Sequence, residues 1–460
     1  MAVLLGVAMT LAFPLFGEND VTLVPVTIGL ATALALVPFP MADRLLALSL
    51  IGTMPLIWSD RLPNVPLAAA VLVIGLIRIA PIEARFVHRR TWVILAASWA
   101  PLAAGVALAH WPPVSVWLRP TALLALGAAA AVLGVLVWRD PDRRQRWLEG
   151  ITLGLLITAV SGLVVFSLQF FVSFAAIVDR FADLQGLLRG TSAGETFRDQ
   201  NNWLIPGEQI TVRAISPLFP SPNNLGAYLG VATPIAFVLS LSHPRRAWRM
   251  VALAATALAV ALAVLTLSRS TWLATAVAGT LIVGVIAVTD RSSTPSFGVR
   301  RNALKLGLNL AVVALAALVV AAAAGGDDVI DRVLNPLADE SVTDRLDTND
   351  QAVQNIATDP VRGVGLGNWR ATIANQDDVA YIHNVYIEYS AAVGVLGGIW
   401  ALMVIVVPLI AGITVMRRAP SSRERLLGVV ILAIFAFAAI HFMFDDNLLN
   451  PQYAWLLFFA

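Results

Sequence analysis

The chain has 460 residues, 58% of them hydrophobic and only 13% charged, with a formal net charge of +2 at pH 7. Soluble domains carry about 25% charged residues, so this balance and a mean hydropathy of +0.79 exclude a soluble protein. Cysteine is absent, which removes disulfide frameworks, thiolate nucleophiles and thiolate metal sites.

Apolar runs long enough to cross the hydrocarbon core, about 20 residues each, recur along the chain and are separated by short charged clusters. Strands of a membrane barrel would be shorter and alternating. The first run, MAVLLGVAMTLAFPLF, lacks a basic n-region and a small-residue cleavage site, so it reads as a span and not as a cleaved signal. Spans are predicted at 2–16, 21–40, 44–58, 62–80, 91–110, 118–138, 148–172, 225–241, 250–267, 270–289, 306–325, 384–416 and 426–444. A partial one starts near 449 and is cut at WLLFFA, as expected if a C-terminal piece is missing. The predicted fold is an all-α integral membrane protein of about 12–14 transmembrane helices with two long extracytoplasmic loops. It divides into an N-terminal bundle (1–172), a first loop (173–224), central helices with an Arg269 turn (225–325), a large loop (326–382) and C-terminal helices (383–460).

Basic clusters anchor the cytoplasmic ends of membrane helices. Arg85/Arg89/Arg90, Arg139–Arg146, Arg245/Arg246/Arg249, Arg291–Lys305 and Arg417–Arg425 all fall on one side when the spans are counted in order. That places the N-terminus inside and both long loops outside. Tryptophans 58, 92, 111, 138, 147, 248 and 272 sit near predicted span ends, where an indole serves as an interface anchor. The 326–382 loop carries eleven Asp and Glu against four Arg, and its VTDRLDTNDQAVQNIATDP stretch reads as a short helix stopped before Pro360. An external connection of this length reads as a functional lid or small domain. No internal repeat is evident, so a pseudo-symmetric transporter gains no support.

Three basic residues lie on the side where positive-inside anchoring does not operate. Arg269, in AVLTLSRSTWLATAV, sits between two apolar runs with almost no loop around it. It reads either as a cation snorkelling to headgroups or pairing with a loop carboxylate, or as a fork of donors for a phosphate or pyrophosphate. Arg213, in TVRAISPLFPSPNNLGAYL, is by itself as readily an ordinary loop residue; the Asn223 and Asn224 that follow suit a helix cap. His383, where the acidic loop re-enters the membrane, can accept a hydroxyl proton, hold a polar substrate group or simply cap a helix. Asn384 beside it can orient the ring or cap the helix, and Glu388 is offset by more than one turn. In RGVGLGNW, Gly365 and Gly367 give turns that let the backbone approach a sugar or shape a lid; as a nucleotide signature the run is weak. No histidine–carboxylate cluster has metal-ligand spacing, and Asp327, Asp328, Asp331, Asp377 and Asp378 read as solvated acidic faces.

Taken in order, VRAISPLFPSPNNLGAYL (212–229), LTLSRSTWLATAV (265–277), the Arg345–Trp369 segment ending DPVRGVGLGNW, and HNVYIEYSAAVGVLGGIW (383–400) resemble the O-antigen ligase and Wzy-type polymerase superfamily. The resemblance covers roughly 212–400 and implies a GT-C-like, inverting glycosyltransferase. It implies transfer of a glycan from an undecaprenyl-diphosphate-linked oligosaccharide to an acceptor glycan or lipid at the outer face of the cytoplasmic (inner) membrane. Membrane lipids are the other expected partners; no nucleic acid, nucleotide sugar, cofactor or metal is implied. On this resemblance Arg213 and Arg269 hold the diphosphate and stabilise charge on the leaving group, and His383 positions or activates the acceptor hydroxyl. Arg345, Asn224, Asn384, Gly365 and Gly367 complete the implied substrate-binding set. Ala392 departs from many relatives, which carry a carboxylate two residues before the glycine corresponding to Gly394, and this puts the acceptor in question. Polymerase and ligase stay unresolved, as does transfer to lipid A core or to protein. A lipid-linked glycan transporter or flippase is the alternative of a different class; it would place ionisable residues near mid-membrane, whereas these cluster at the outer edge.

Overall fold

A computed structural model describes residues 41, 43–44, 55–59, 62–111, 114–189, 194–195, 197–198, 219, 221–289, 297–334, 340–368, 382–445 and 457. The predicted spans 2–16 and 21–40, most of 44–58, and the partial span from 449 lie outside these residues apart from a few positions. The first elements with described bounds are two short strands, β1 (Pro55–Ser59) and β2 (Leu62–Pro66), paired antiparallel with Ile57 opposite Val65. Then follow α1 (Leu67–Glu83), α2 (Arg89–Leu108), α3 (Val114–Arg139), α4 (Pro141–Leu168), α5 (Phe174–Arg189), α6 (Pro222–Ser242), α7 (Arg246–Leu265) and α8 (Arg269–Thr289). The remainder comprises α9 (Phe297–Leu334), α10 (Glu340–Thr358), α11 (Val385–Val393), α12 (Val395–Arg418) and α13 (Ser422–His441). Among the described residues, nine helices are long and apolar enough to cross a membrane: α2, α3, α4, α6, α7, α8, α9, α12 and α13. The protein is therefore a multi-pass membrane protein, and its described residues are all-α apart from the hairpin.

Helix starts follow local chemistry. Asp140 caps α4 by accepting from the Asp142 and Arg143 N–H groups at 2.9 and 3.3 Å, with Pro141 in the first turn, where its missing N–H costs nothing. Ser221 with Pro222 repeats the device at α6. The spanning windows of α6 and α13 are 78% and 72% buried, against 11% for α2 and α9, so the first pair forms the centre and the second pair the perimeter. Along α9, Leu308, Val312, Leu315 and Val319 recur at helical spacing and are all exposed, a stripe suited to lipid. At the centre, a Cβ on Gly230 would lie 2.0 Å from the Phe437 ring, and one on Gly226 2.0 Å from Thr271 Oγ1. These two positions let α6 approach α13 and α8 closely, as small residues do between membrane helices.

Among the described residues, the clusters around Arg85, Arg139–Arg146, Arg245 and Arg417–Arg425 meet at one end of the bundle. There Glu149 accepts from Arg44 Nε at 2.7 Å and meets His243 Nε2 at 2.9 Å, both carboxylate and imidazole being buried. His243 Nδ1 accepts the Arg245 N–H at 3.0 Å, so the ring proton sits on Nε2 and points at Glu149. Arg146 Nε and Trp147 Nε1 both donate to Asp43, and Arg143 donates to Glu83. Arg423 bonds Gln145, which ties α13 to α4 at this same end.

Several sequence expectations are corrected. Residues 55–59 and 62–66, placed in spans 44–58 and 62–80, are strands; Pro55, Pro63 and Pro66 disfavour helix there, and α1 starts only at Leu67. The apolar span of α9, Asn302–Ala323, agrees with the predicted 306–325, and the helix itself runs on to Leu334. The first loop contains an unpredicted helix, α5. The predicted single span 384–416 is two helices broken at Gly394. Trp147 is an interior residue and no interface anchor. The short helix expected before Pro360 is α10.

Candidate active site

The opposite end of the bundle is built from three chain turns. The first joins α7 to α8 through Thr266, Leu267 and Ser268, and Leu267 holds a positive φ of 54°. Such a conformation costs a leucine on the order of 1–3 kcal/mol and persists only where its surroundings over-determine it. Here the surroundings are hydroxyls. Thr266 Oγ1 donates to the Ala263 carbonyl at 2.7 Å and accepts the Ser268 N–H at 3.3 Å. Ser268 Oγ meets Ser270 Oγ at 3.1 Å and accepts from Thr271 Oγ1 at 3.0 Å. The turn therefore fixes the first residue of α8, which is Arg269, half-buried.

The second turn, Phe442–Phe444, follows α13. His441, fully buried, reaches Ser270 Oγ with Nε2 at 3.5 Å and stacks on Phe437 with ring centroids 5.3 Å apart. The Phe442 carbonyl accepts the Val385 N–H at 2.9 Å, the Met443 carbonyl accepts from Asn384 Nδ2 at 3.4 Å, and the Phe444 carbonyl accepts from Arg345 Nη1 at 3.1 Å. One short turn thus gathers α10, the start of α11 and, through His441 and Ser270, the start of α8. Asn384 completes the third element by capping α11, its Oδ1 accepting from the Tyr386 and Ile387 N–H groups at 3.0 and 3.1 Å.

His383 lies half-buried before that cap. Burial chiefly, and the positive charge of Arg345 secondarily, push its pKa down to about 3 from the usual 6.5, so the ring is neutral at physiological pH. Between those values the unfolded chain binds the proton that the folded chain refuses, so stability falls as pH drops from 6.5 toward 3. Thermal unfolding in detergent is expected to show this loss between pH 7 and pH 5, and His383→Asn should shrink it. Equal losses in variant and wild type would mean that His383 is hydrated in the folded protein.

The glycine-rich segment packs around the break between α11 and α12. The Val364 and Gly365 N–H groups donate to the Ala391 and Ala392 carbonyls at 2.8 Å each, and the Pro360 carbonyl accepts from Val395 N–H at 2.8 Å. Gly365 (φ 95°) is thereby committed to the backbone, whereas Gly367 (φ 77°) is exposed. Asp359 joins this segment to the end of α2, meeting His110 Nε2 at 3.0 Å. The Arg362 N–H, and then His110, hold the Asp359 carboxyl below its ordinary range.

Of the residues singled out by sequence, Arg269, Arg345, His383 and Asn384 come to this one end. Asn224 lies there too, in the first turn of α6, two residues before the Gly226 that packs on Thr271. Arg213 lies outside the described residues. His441 was missed; its signal was available as a histidine inside an apolar span, where polar groups are seldom idle. Among the described residues, no group of three or more His, Cys, Asp or Glu is placed to hold a metal.

The family described as O-antigen ligase matches residues 254–402, less than half of the chain. The match includes Arg269, Arg345, His383 and Asn384 and ends before His441. No curated protein matches the chain. The family match supports membership in the O-antigen ligase and Wzy-type superfamily and agrees with a membrane-embedded, glycan-handling protein.

Proposed function

We propose that this protein transfers a glycan from a polyprenyl-diphosphate-linked donor to an acceptor sugar hydroxyl, at the membrane face opposite its basic clusters. The observation that carries the reading is the gathering of Arg269, Arg345 and His383 at the turns around His441 and Phe444. With basic clusters cytoplasmic, that end faces outward from the cytoplasmic membrane, where lipid-linked glycans are assembled into surface polysaccharide.

In the proposed step the acceptor oxygen attacks the anomeric carbon, and the bond from that carbon to the diphosphate oxygen breaks with inversion. Negative charge grows on the departing polyprenyl diphosphate. Guanidinium groups fit that oxygen-rich charge with their fork of donors; Arg269 takes this role, and Arg213 joins it on sequence grounds. The acceptor hydroxyl loses its proton, and neutral His383 offers the lone pair to take it or the hydrogen bond to orient it. A ring with a pKa of about 3 is a weak base. A bound diphosphate would oppose the field of Arg345 and raise that basicity when the donor is in place.

The test is a gel assay of purified protein in liposomes supplied only with a polyprenyl-diphosphate-linked repeat oligosaccharide. A ladder that disappears with His383→Ala is the result expected of a polymerase. If product forms only after a second acceptor is added, the protein is a ligase. Folded protein that never changes the donor covalently, but moves it across the bilayer, would overturn the enzymatic reading in favour of transport.

A further inference from the structure

A second feature lies at the other end of the bundle and plays no part in the proposed chemistry. Helices α2, α3, α12 and α13, with Arg144 from the start of α4, line a partly open cavity of about 650 Å³, within the range of sites that bury a sizeable ligand. Its polarity is sorted along its length. At the deep end Trp99 and Trp400 face each other, ring centroids 5.3 Å apart. The middle is apolar, and Pro408 in α12 lines it. The mouth carries Arg144, Arg418 and Glu424.

All four helices qualify as membrane spans, and the mostly apolar lining between the mouth and the tryptophans suits a lipid chain. Two guanidinium groups against one carboxylate leave the mouth positive. Glu424 is partly occupied, since its Oε2 accepts from Ser421 Oγ at 3.1 Å. Arg144 is held by one bond from Nη1 to the Trp138 carbonyl at 3.3 Å, and a guanidinium has further donors to offer. The mouth belongs to the clusters Arg139–Arg146 and Arg417–Arg425. Basic pockets between membrane helices on the cytoplasmic side are the places where anionic headgroups bind. A polyprenyl tail entering from the opposite face would bring hydrocarbon and no charge to these arginines.

We propose that this cavity binds one anionic phospholipid, with its phosphate on Arg144 and Arg418 and an acyl chain running toward Trp99 and Trp400. The site is separate from the Arg269 end, so it stands or falls independently of the glycan-transfer reading.

The experiment is native mass spectrometry of the full chain in mild detergent, titrated with phosphatidylglycerol or phosphatidylcholine of matched chains. One phosphatidylglycerol is expected to bind with at least about tenfold preference: both lipids offer the phosphate, but choline brings a cation to two guanidinium groups, and one like-charge contact near a protein surface costs on the order of 1–4 kcal/mol. Arg144→Gln combined with Arg418→Gln is expected to remove that preference. Ala411→Trp, in the cavity wall, is expected to lower the binding of both lipids, and it serves as the test if the double variant is not monodisperse. Equal binding of the two lipids, retention unaltered by these substitutions, or a polyprenyl lipid as the species that copurifies in the cavity would overturn the proposal.

Discussion

Arg269→Ala is expected to lower glycan transfer by about 10²–10³-fold, the usual loss when one donor aimed at developing charge is removed. Membrane insertion should stay near wild type, because the hydroxyl bonds that hold the turn lie around the residue. The turn from Thr266 to Ser268 and the first turn of α8 are held by bonds among Thr266, Ser268, Ser270 and Thr271, which the substitution leaves in place. Arg269→Lys distinguishes charge from shape. An ammonium keeps the charge but loses the planar fork that meets phosphate oxygens two at a time, so lysine should recover only a small part of the loss. The readout is initial rate at saturating donor together with donor affinity. Normal turnover in both variants would remove Arg269 from the chemistry and return it to the role of a headgroup anchor. Full rescue by lysine would mean that a point charge suffices.

The sequence made the spans legible because transfer of roughly 20 apolar residues into hydrocarbon is a property of composition. For α6, α7, α8 and α13 the predicted and observed bounds differ by only a few residues. The same property hides other features. Residues 384–416 are apolar almost throughout, and hydropathy registers nothing at Gly394, where a single backbone conformation divides the run. α9 runs past Asp327, Asp328 and Asp331 because charge ends a membrane span without ending a helix. Pro55, Pro63 and Pro66 interrupt the run around β1 and β2, but hydropathy registers only its apolar length. At the site, Arg269 was legible through its cost in an apolar setting. The link from Ser270 to His441 was not, since it joins positions 171 apart in sequence and no local pattern records it.

Gly394→Ala is expected to be the most disruptive single-methyl change in the described part of the chain. Gly394 has φ 75° and ψ −173°, a combination open almost only to glycine. A Cβ there would lie 2.2 Å from the Val361 carbonyl oxygen and 2.8 Å from that of Pro360, and both obstacles are backbone. Relief therefore requires the 360–365 segment to move, and that segment caps the break. Its displacement would cost the bonds from Val364 to Ala391, from Gly365 to Ala392 and from Val395 to Pro360. Backbone strain of about 1–3 kcal/mol, added to buried groups left unsatisfied at about 1–3 kcal/mol each, gives an expected loss of several kcal/mol. The bilayer holds the spanning helices in place regardless, so the damage should be local: lower melting temperature, rapid tryptic cleavage at Arg362, and little or no transfer as α11 and His383 lose their seat. Gly279→Ala and Gly284→Ala in α8 are the matched controls, since a Cβ at either meets nothing within 4 Å. Alanine within a helix should leave them unchanged or more stable by about 0.5–1 kcal/mol. Wild-type melting and protease resistance in Gly394→Ala would show that the loop does not clasp the break, and the placement of His383 would then need another cause.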